Sequence, residues 1–494
     1  MLPSRLAHPA VALATVAVSV SVAAPAAAAP PWSAPQVVAG GYLAQWAPLN
    51  GGGLAFRPAD AHLGFTPGGV GFAVLGRSAG GLGYARFSGA RAAFGTVTGS
   101  TFRSVTPREM ALFGRSGVVL AGPADGPSDR KAERTGLPLD VAVTRGNVTG
   151  AFSTRQVLAR GFLAKPGTLA DSRAAVVTAL ASNAGGDVAV AVSVPVVGRT
   201  RVVGYRSRLF IRRRTSGLFK RVMDFGTQTV GSSPVALAVS GPGDVLVAWD
   251  DRTAVRARMV SSRGTIGAEQ RLGTGGSAYL GSANPRITAA IDGTRRMLVA
   301  WIAQRVGEGN FAGSPGLVAL STAAPGKPFG RQQTLERNLP KGGDRAILGD
   351  AVQAAIVRDR GIVAWTGADT NRLVVRTADV TSGRAGAPRV LSAAGASSRL
   401  QGLVVGPRGG AAIVWVTESG ERGHYASARA AGASSWGPTE TITTAGDTAA
   451  LQEARVAVSP VSGDVVTLIG DPTPVGTQPA AGPIPVRSSV RSAP

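Results

Sequence analysis

The sequence predicts an all-β chain built from one repeated unit, and three observations carry that reading. The first is the stretch PVALAVSGPGDVLVAWDD, Pro234–Asp251, in which two short apolar runs, 235–240 and 244–250, fold back around Gly241-Pro242-Gly243. The second is its recurrence along the chain at intervals near fifty residues. The third is composition. With 68 Gly and 32 Pro in 494 residues, 44% hydrophobic and only 16% charged, the chain suits short packed strands separated by turns, and it lacks long helical periodicity.

Alignment on the second run gives eight cognates. They are GVGFAVL (69–75), GVVLAG (117–122), GDVAVAVS (186–193), GDVLVAWD (243–250), RMLVAWI (296–302), GIVAWT (361–366), GAAIVWV (410–416) and GDVVTLIG (463–470). The position of Trp249 is filled in turn by Val74, Ala121, Val192, Trp249, Trp301, Trp365, Trp415 and Ile469, at successive differences of 47, 71, 57, 52, 64, 50 and 54. That period matches a four-stranded propeller blade. A third strand follows the hairpin at 255–261, 317–322, 373–380 and 424–430. A fourth segment ends in IGAEQRL (266–272), FGRQQTL (329–335), AGAPRVL (385–391) and WGPTETI (436–442). In the second unit, Thr106-Pro107-Arg108-Glu109 matches a helix capping box, but Met110–Phe113 is in phase with the first strands of the other units and reads as a strand.

The phase of the repeat predicts how the ring closes. WSAPQVVA (32–39) resembles a fourth segment without preceding strands, whereas the last unit, after Ile469, lacks one. A chain that begins with the strand its last blade needs leaves no open sheet edge. The expectation is a single β-propeller of about eight, alternatively seven, four-stranded blades. Its units lie near 60–100, 101–160, 174–230, 234–273, 285–336, 350–392, 399–443 and 453–491, within a domain of 30–494. Residues 40–60 read as a hairpin insertion before the first full unit.

Residues 1–29 read as an export signal: Arg5, then an Ala/Val-rich apolar core over 10–24, then Ala26-Ala27-Ala28-Ala29 as a small-residue cleavage region. The expected product is secreted or associated with the cell envelope, with no membrane span after processing. The chain has no Cys, so its stability rests on apolar burial without disulfides.

Four tryptophans at one repeat position, Trp249, Trp301, Trp365 and Trp415, admit two readings: packing between blades, or a platform for sugar rings in each blade. A formal net charge of +24 predicts attraction to polyanions, densest over 199–221, which holds nine cations and no acid. Arg199, Arg201, Arg206, Arg208, Arg212, Arg213 and Arg214 are the candidate contacts there, although strand alternation divides them between two faces. A specific nucleic-acid site is not expected. Of three histidines, His8 lies in the export segment and His62 and His424 are far apart; with no Cys pair or Ca-loop spacing, no metal or other cofactor is expected. Asp187, Asp244 and Asp464 follow Gly and suit tight hairpin turns. Asp250, Asp251 and Glu418, just after the Trp position, could sit at a blade mouth.

The segments SARAAGASSW (427–436) and STAAPGKPF (321–329) resemble a degenerate Asp-box of sialidase-like propellers, a Ser-x-Asp-x-Gly-x-x-aromatic pattern, with Arg429 or Ala323 standing in place of the Asp. Phe56-Arg57-Pro58 resembles that family's aromatic-Arg-Ile-Pro signature without the Ile. The resemblance, which extends to exported members of such propellers, implies an arginine cluster, an acid/base Asp and a Tyr–Glu pair at the ring's centre in active enzymes. Tyr42, Tyr84, Tyr205, Tyr279 and Tyr425 have no diagnostic Glu partners in sequence, so no catalytic set is assigned. The function expected is an exported, monomeric, non-catalytic binding or scaffold module for glycan or protein. The alternative is a sialidase-like glycoside hydrolase or lyase with its site at the channel mouth.

Overall fold

The computed structural model of the chain describes residues 32, 36–42, 45–48, 54–57, 62–76, 82–88, 98–100, 109–124, 140–153, 155–162, 174–198, 201–228, 234–251, 253–275, 287–303, 316–339, 352–357, 360–369, 372–444, 449–450, 454–470, 473–474 and 484–491. The export segment inferred at 1–29 lies outside them. Glu109–Phe113 is a strand.

Blade 4 shows how the unit forms. Its strands Val235–Val239, Val245–Asp250, Ala254–Val260 and Gln270–Thr274 pair antiparallel in chain order. The Gly-Pro-Gly turn reverses the chain because Gly243 takes a φ of 96°, a backbone region that side chains with a Cβ avoid. Eight such sheets follow one another among the described residues, spanning 62–100, 109–159, 176–228, 235–274, 287–339, 352–390, 398–444 and 454–491, here blades 1 to 8. In blade 6 the fourth strand is split into Arg384–Ala385 and Arg389–Val390.

The first strand of each blade packs on the first strand of the next, and that of blade 8 packs on that of blade 1, so first strands line the centre of a closed ring. Blade 8 contributes Ala454–Val458, Val465–Gly470 and Ile484–Arg491; its fourth strand is Gln36–Tyr42, which pairs antiparallel with the third in a register that sets Val37 opposite Arg487. The chain is thus a β-propeller whose N-terminal strand completes its last blade. Before blade 1, Gln45–Pro48 and Leu54–Arg57 form a separate hairpin.

Second strands are buried on both faces because each is sandwiched between neighbouring blades. Val245, Val247 and Trp249 enter the core shared with blade 3, while Leu246 and Ala248 enter the one shared with blade 5. All eight residues of the Trp column occupy one level, each opposite a first-strand residue: His62↔Val74, Glu109↔Ala121, Val177↔Val192, Val235↔Trp249, Ile287↔Trp301, Val352↔Trp365, Leu400↔Trp415 and Ala454↔Ile469.

The indoles at this level grip the preceding blade. Trp249 meets Phe225 of blade 3 at a ring separation of 5.1 Å. Trp301 Nε1 donates to the Thr274 carbonyl of blade 4 at 3.0 Å, and Trp365 Nε1 donates to Glu336 of blade 5. A Cβ on Gly273 would lie 2.7 Å from the Trp301 ring, so the bare backbone there admits the indole. Replacing Trp301 by Ala removes a large apolar surface and the bond to blade 4. It is expected to lower unfolding free energy by about 3–5 kcal/mol in urea titration, with Trp301→Phe recovering part of the loss.

Candidate functional site

The two rims of the ring differ, and the difference follows from the strand order. On one rim lie the short turns between first and second strands and the turns between third and fourth. On the other lie the ends of second strands, the starts of third strands and the starts of first strands.

The short-turn rim uses its polar groups internally. Asp244, buried at the end of its hairpin turn, receives the Ser262 N–H on Oδ1 at 2.9 Å and Arg295 Nε of blade 5 on Oδ2 at 2.6 Å. Asp187 receives the Arg214 N–H at 3.0 Å and Asn183 Nδ2 at 3.1 Å; the same Asn183 amide reaches the Ser240 carbonyl of blade 4 at 2.8 Å. Asp464 accepts the Ser462 hydroxyl. Asp187 and Asp244 therefore tie the first turn of their blade to the turn between its third and fourth strands, and Asp244 also joins blades 4 and 5.

The opposite rim opens onto a channel mouth formed by the starts of the first strands. At the Trp level those residues are His62, Glu109, Val177, Val235, Ile287, Val352, Leu400 and Ala454. Arg399 and Arg455 flank the last two. Two residue pairs deeper the column reads Gly64, Ala111, Leu180, Leu237, Ala289, Ala354, Leu403 and Val456, apolar throughout. Ionisable groups on the described first strands thus gather near their starts, and the positions two pairs deeper pack in the cores between blades.

Blades 6 to 8 are stitched just below the mouth. The Gln353 side chain accepts the Leu403 N–H at 2.6 Å and donates to the Gln401 carbonyl at 3.3 Å. Gln401, in a bulge of blade 7, accepts the Ala454 N–H at 3.0 Å. Thr366 Oγ1 accepts the Leu400 N–H at 3.0 Å. These bonds fix the first strands that carry Arg399 and Arg455.

Glu109 dominates the electrostatics of the mouth. Burial raises its carboxyl from 4.5 to about 7, and the positive charge of Arg455 pulls the other way. Arg399 pairs with Glu418 of its own blade. Near neutrality Glu109 is divided between acid and carboxylate, so it can donate or accept a hydrogen bond beside a fixed cation. General acid–base hydrolysis needs a second carboxyl group or a tyrosine across the reacting bond. Among the described first-strand residues, Glu109 is the only acid, and none is Tyr. Tyr84 donates to the Thr149 carbonyl at 3.1 Å and Tyr425 to the Glu421 carbonyl at 2.9 Å, both from third strands, where Tyr205 also lies. The Tyr42 side chain and Tyr279 lie outside the described residues, as do Pro58 and the side chains of Phe56 and Arg57.

The residues singled out by sequence fall into different places. Trp249, Trp301 and Trp415 are 1% exposed and Trp365 0% exposed, which leaves no ring face open for a sugar and corrects the platform reading of these four positions. Arg212 is buried, donates to the Gly186 carbonyl at 3.0 Å and lies 5.1 Å over the Phe113 ring. Arg213 donates to the Ser261 carbonyl of blade 4 at 2.7 Å, and Arg214 sits in the turn capped by Asp187. Arg206 and Arg208 occupy one face of the third strand of blade 3, Arg201 is exposed at the start of that strand, and Arg199 lies outside the described residues. Asp251 accepts the Thr253 and Ala254 N–H groups at 3.0 and 2.8 Å and pairs with Arg256; its pKa is lowered by these bonds despite burial. His424 is buried and bonds Thr443 at 2.9 Å, and no cluster of three metal-ligating side chains occurs among the described residues.

The degenerate Asp-box segments form third-to-fourth-strand turns on the short-turn rim. Ser321 and Ser427 each donate to the carbonyl just after the aromatic, Gly330 and Gly437, at 2.8 Å. Arg429, at the Asp position, pairs with Asp379 of blade 6 and stacks 5.1 Å over Trp436. Its role there is to join blades. The Glu109 and Arg455 pair escaped sequence reading, yet a signal existed: Glu109 and His62 each stand opposite a member of the Trp column, where five other copies carry Val, Ile or Leu.

A scan against protein families finds no match for this chain, and a search of curated proteins finds none either. Solved structures with a similar fold include the β-propeller domain of the trilobed protease from Pyrococcus furiosus, at 10% identity and a TM-score of 0.38, covering 78% of this chain and 98% of that one. The polysaccharide lyase Uly1 is 10% identical with a TM-score of 0.39 over 80% of this chain and 91% of its own. The phage phi92 endosialidase is 10% identical with a TM-score of 0.38 over 79% and 67%.

The raised carboxyl has a stability consequence. The unfolded chain ionises Glu109 near 4.5 and the folded chain near 7, so stability present below 4.5 is lost as pH rises to about 7. Glu109→Gln is expected to stabilise the protein at about pH 8, by at most ~3 kcal/mol, and to leave it unchanged near pH 4. Urea midpoints at the two pH values check this.

Proposed function

We propose that this protein is an exported, non-catalytic β-propeller module that binds glycan or protein at the cell envelope through the rim where its first strands start. The observation that carries the reading is the composition of the channel mouth. Glu109 lies beside Arg455 at the start of the first strands, and among the described first-strand residues there is no second acid and no Tyr. These described strands offer hydrogen bonds and the Arg455 cation beside Glu109 to a ligand, and do not supply the paired groups that cleave a glycosidic bond. The export reading rests on residues 1–29.

A second reading, a glycoside hydrolase or lyase, draws on one feature: Glu109 titrates at about 7 next to Arg455, which suits proton transfer at neutral pH. The two readings differ in products. A glycan array and polysaccharide pull-down with the chain from residue 30 is expected to give binding that persists at about 150 mM salt. Arg455→Gln is expected to weaken it by about tenfold, with the glycans recovered intact. New reducing ends or unsaturated sugars that disappear in Glu109→Gln would overturn the non-catalytic reading in favour of the enzyme.

A further inference from the structure

We propose that the outer half of blade 3 is a binding strip for an acidic polysaccharide, recognised through its carboxylate or sulfate groups. The inference deepens the binding-module reading by naming a ligand class, and it rests on that reading, but it uses a different surface from the channel mouth.

Three guanidinium groups converge there on a single carboxylate. Arg221, on the fourth strand, donates to Asp224 Oδ1 at 2.8 Å. Arg206 Nη1 and Arg208 Nε, on the third strand, each stand 3.8 Å from the same carboxylate, beyond hydrogen-bond reach. The side chains of Arg206, Arg208 and Arg221 are 47%, 30% and 51% exposed, whereas Asp224 is 22% exposed. One acid therefore offsets one of three cations, and the guanidinium groups of Arg206 and Arg221 are the more exposed of the three. Guanidinium forks match planar carboxylate and tetrahedral sulfate oxygens, which is the chemistry of the proposed ligand.

The shape of the blade favours a linear polymer. Arg206 and Arg208 are two residues apart on one face of an extended strand, about 7 Å along its axis. The hairpin that carries them runs five residue pairs past the Trp level, from Ser193↔Ser207 to Val197↔Val202, against one such pair in blade 4. It projects on the rim where first strands start. The strip formed by Arg206, Arg208, Arg221, Asp224 and Thr227 holds no aromatic or large apolar anchor of the kind that centres protein interfaces. It also lacks the stacking rings that hold single-stranded nucleic acid.

The bulk charge of the chain makes some polyanion binding unavoidable, so the test compares variants of equal charge. The triple variant Arg206→Gln, Arg208→Gln, Arg221→Gln is set against Arg263→Gln, Arg331→Gln, Arg384→Gln, which removes three exposed cations elsewhere. Heparin, polygalacturonate and neutral dextran are titrated into the chain from residue 30 at low and at about 150 mM salt. The blade 3 triple is expected to weaken both polyanions at least about tenfold at the higher salt and the control triple less than about twofold, with dextran inert to the strip. Arg206→Gln alone, at the more exposed of the two third-strand arginines, is expected to weaken binding about threefold without touching the fold.

Equal losses in the two triples, or no loss in either, would overturn the proposal. Poly-glutamate or single-stranded DNA binding that depended equally on the three arginines would overturn the polysaccharide assignment. Glycan binding that responded to Arg455→Gln but not to the blade 3 triple would remove the strip and leave the channel-mouth reading standing. Absence of all glycan and protein binding would remove both.

Discussion

A strand buried on both faces has to have neighbours, and that constraint shapes the whole molecule. Val245–Asp250 is apolar on both sides because blade 3 covers one side and blade 5 the other. The same holds for the second strands of the other blades between 176 and 444, so every blade depends on two more. Such a series has no natural end except closure, and Gln36–Tyr42 provides it by completing the sheet of blade 8. The indoles of blades 4 to 6 reinforce the series in one direction, each reaching the outer strand of the blade before it.

On the short-turn rim Asp187, Asp244 and Arg429 are consumed by turns and by the joints between blades, in positions that water reaches poorly. Buried acids there meet hydrogen-bond donors, as their burial requires. At the channel mouth Glu109 is desolvated without enough compensation to keep its carboxyl in the usual range. A group held at a cost to stability is more informative about binding than one whose bonds are satisfied within the fold. On the outer wall of blade 3 the imbalance is of another kind, with three guanidinium groups sharing Asp224.

Much of this architecture was legible in the sequence because the repeat is carried by burial. Val74, Ala121, Val192, Trp249, Trp301, Trp365, Trp415 and Ile469 form one column in the chain and one level in the ring. The closing strand could be read from phase alone, since a fourth segment stood at the beginning and was missing at the end. The site was much less legible. Glu109 and Arg455 lie far apart in the chain and interact only because the first strands of blades 8, 1 and 2 follow one another around the ring. Conversely, the arginines of 199–221 looked like one patch in the sequence. The turn at its end instead draws Arg212 and Arg213 into structural bonds and leaves Arg206 and Arg208 outside.

Ring closure is the claim on which the rest stands, and the absence of native Cys makes it directly testable. Val37 and Arg487 are opposite one another in the closing pair of strands. With Cys at both positions, mild oxidation should give a monomer carrying one intramolecular disulfide, seen as a loss of two hydrogens by mass and a shift on a non-reducing gel, and a higher urea midpoint than the reduced form. Free thiols that persist, or disulfides that form only between chains, would mean that the N-terminal strand does not complete the last blade, and the ring described above would be wrong.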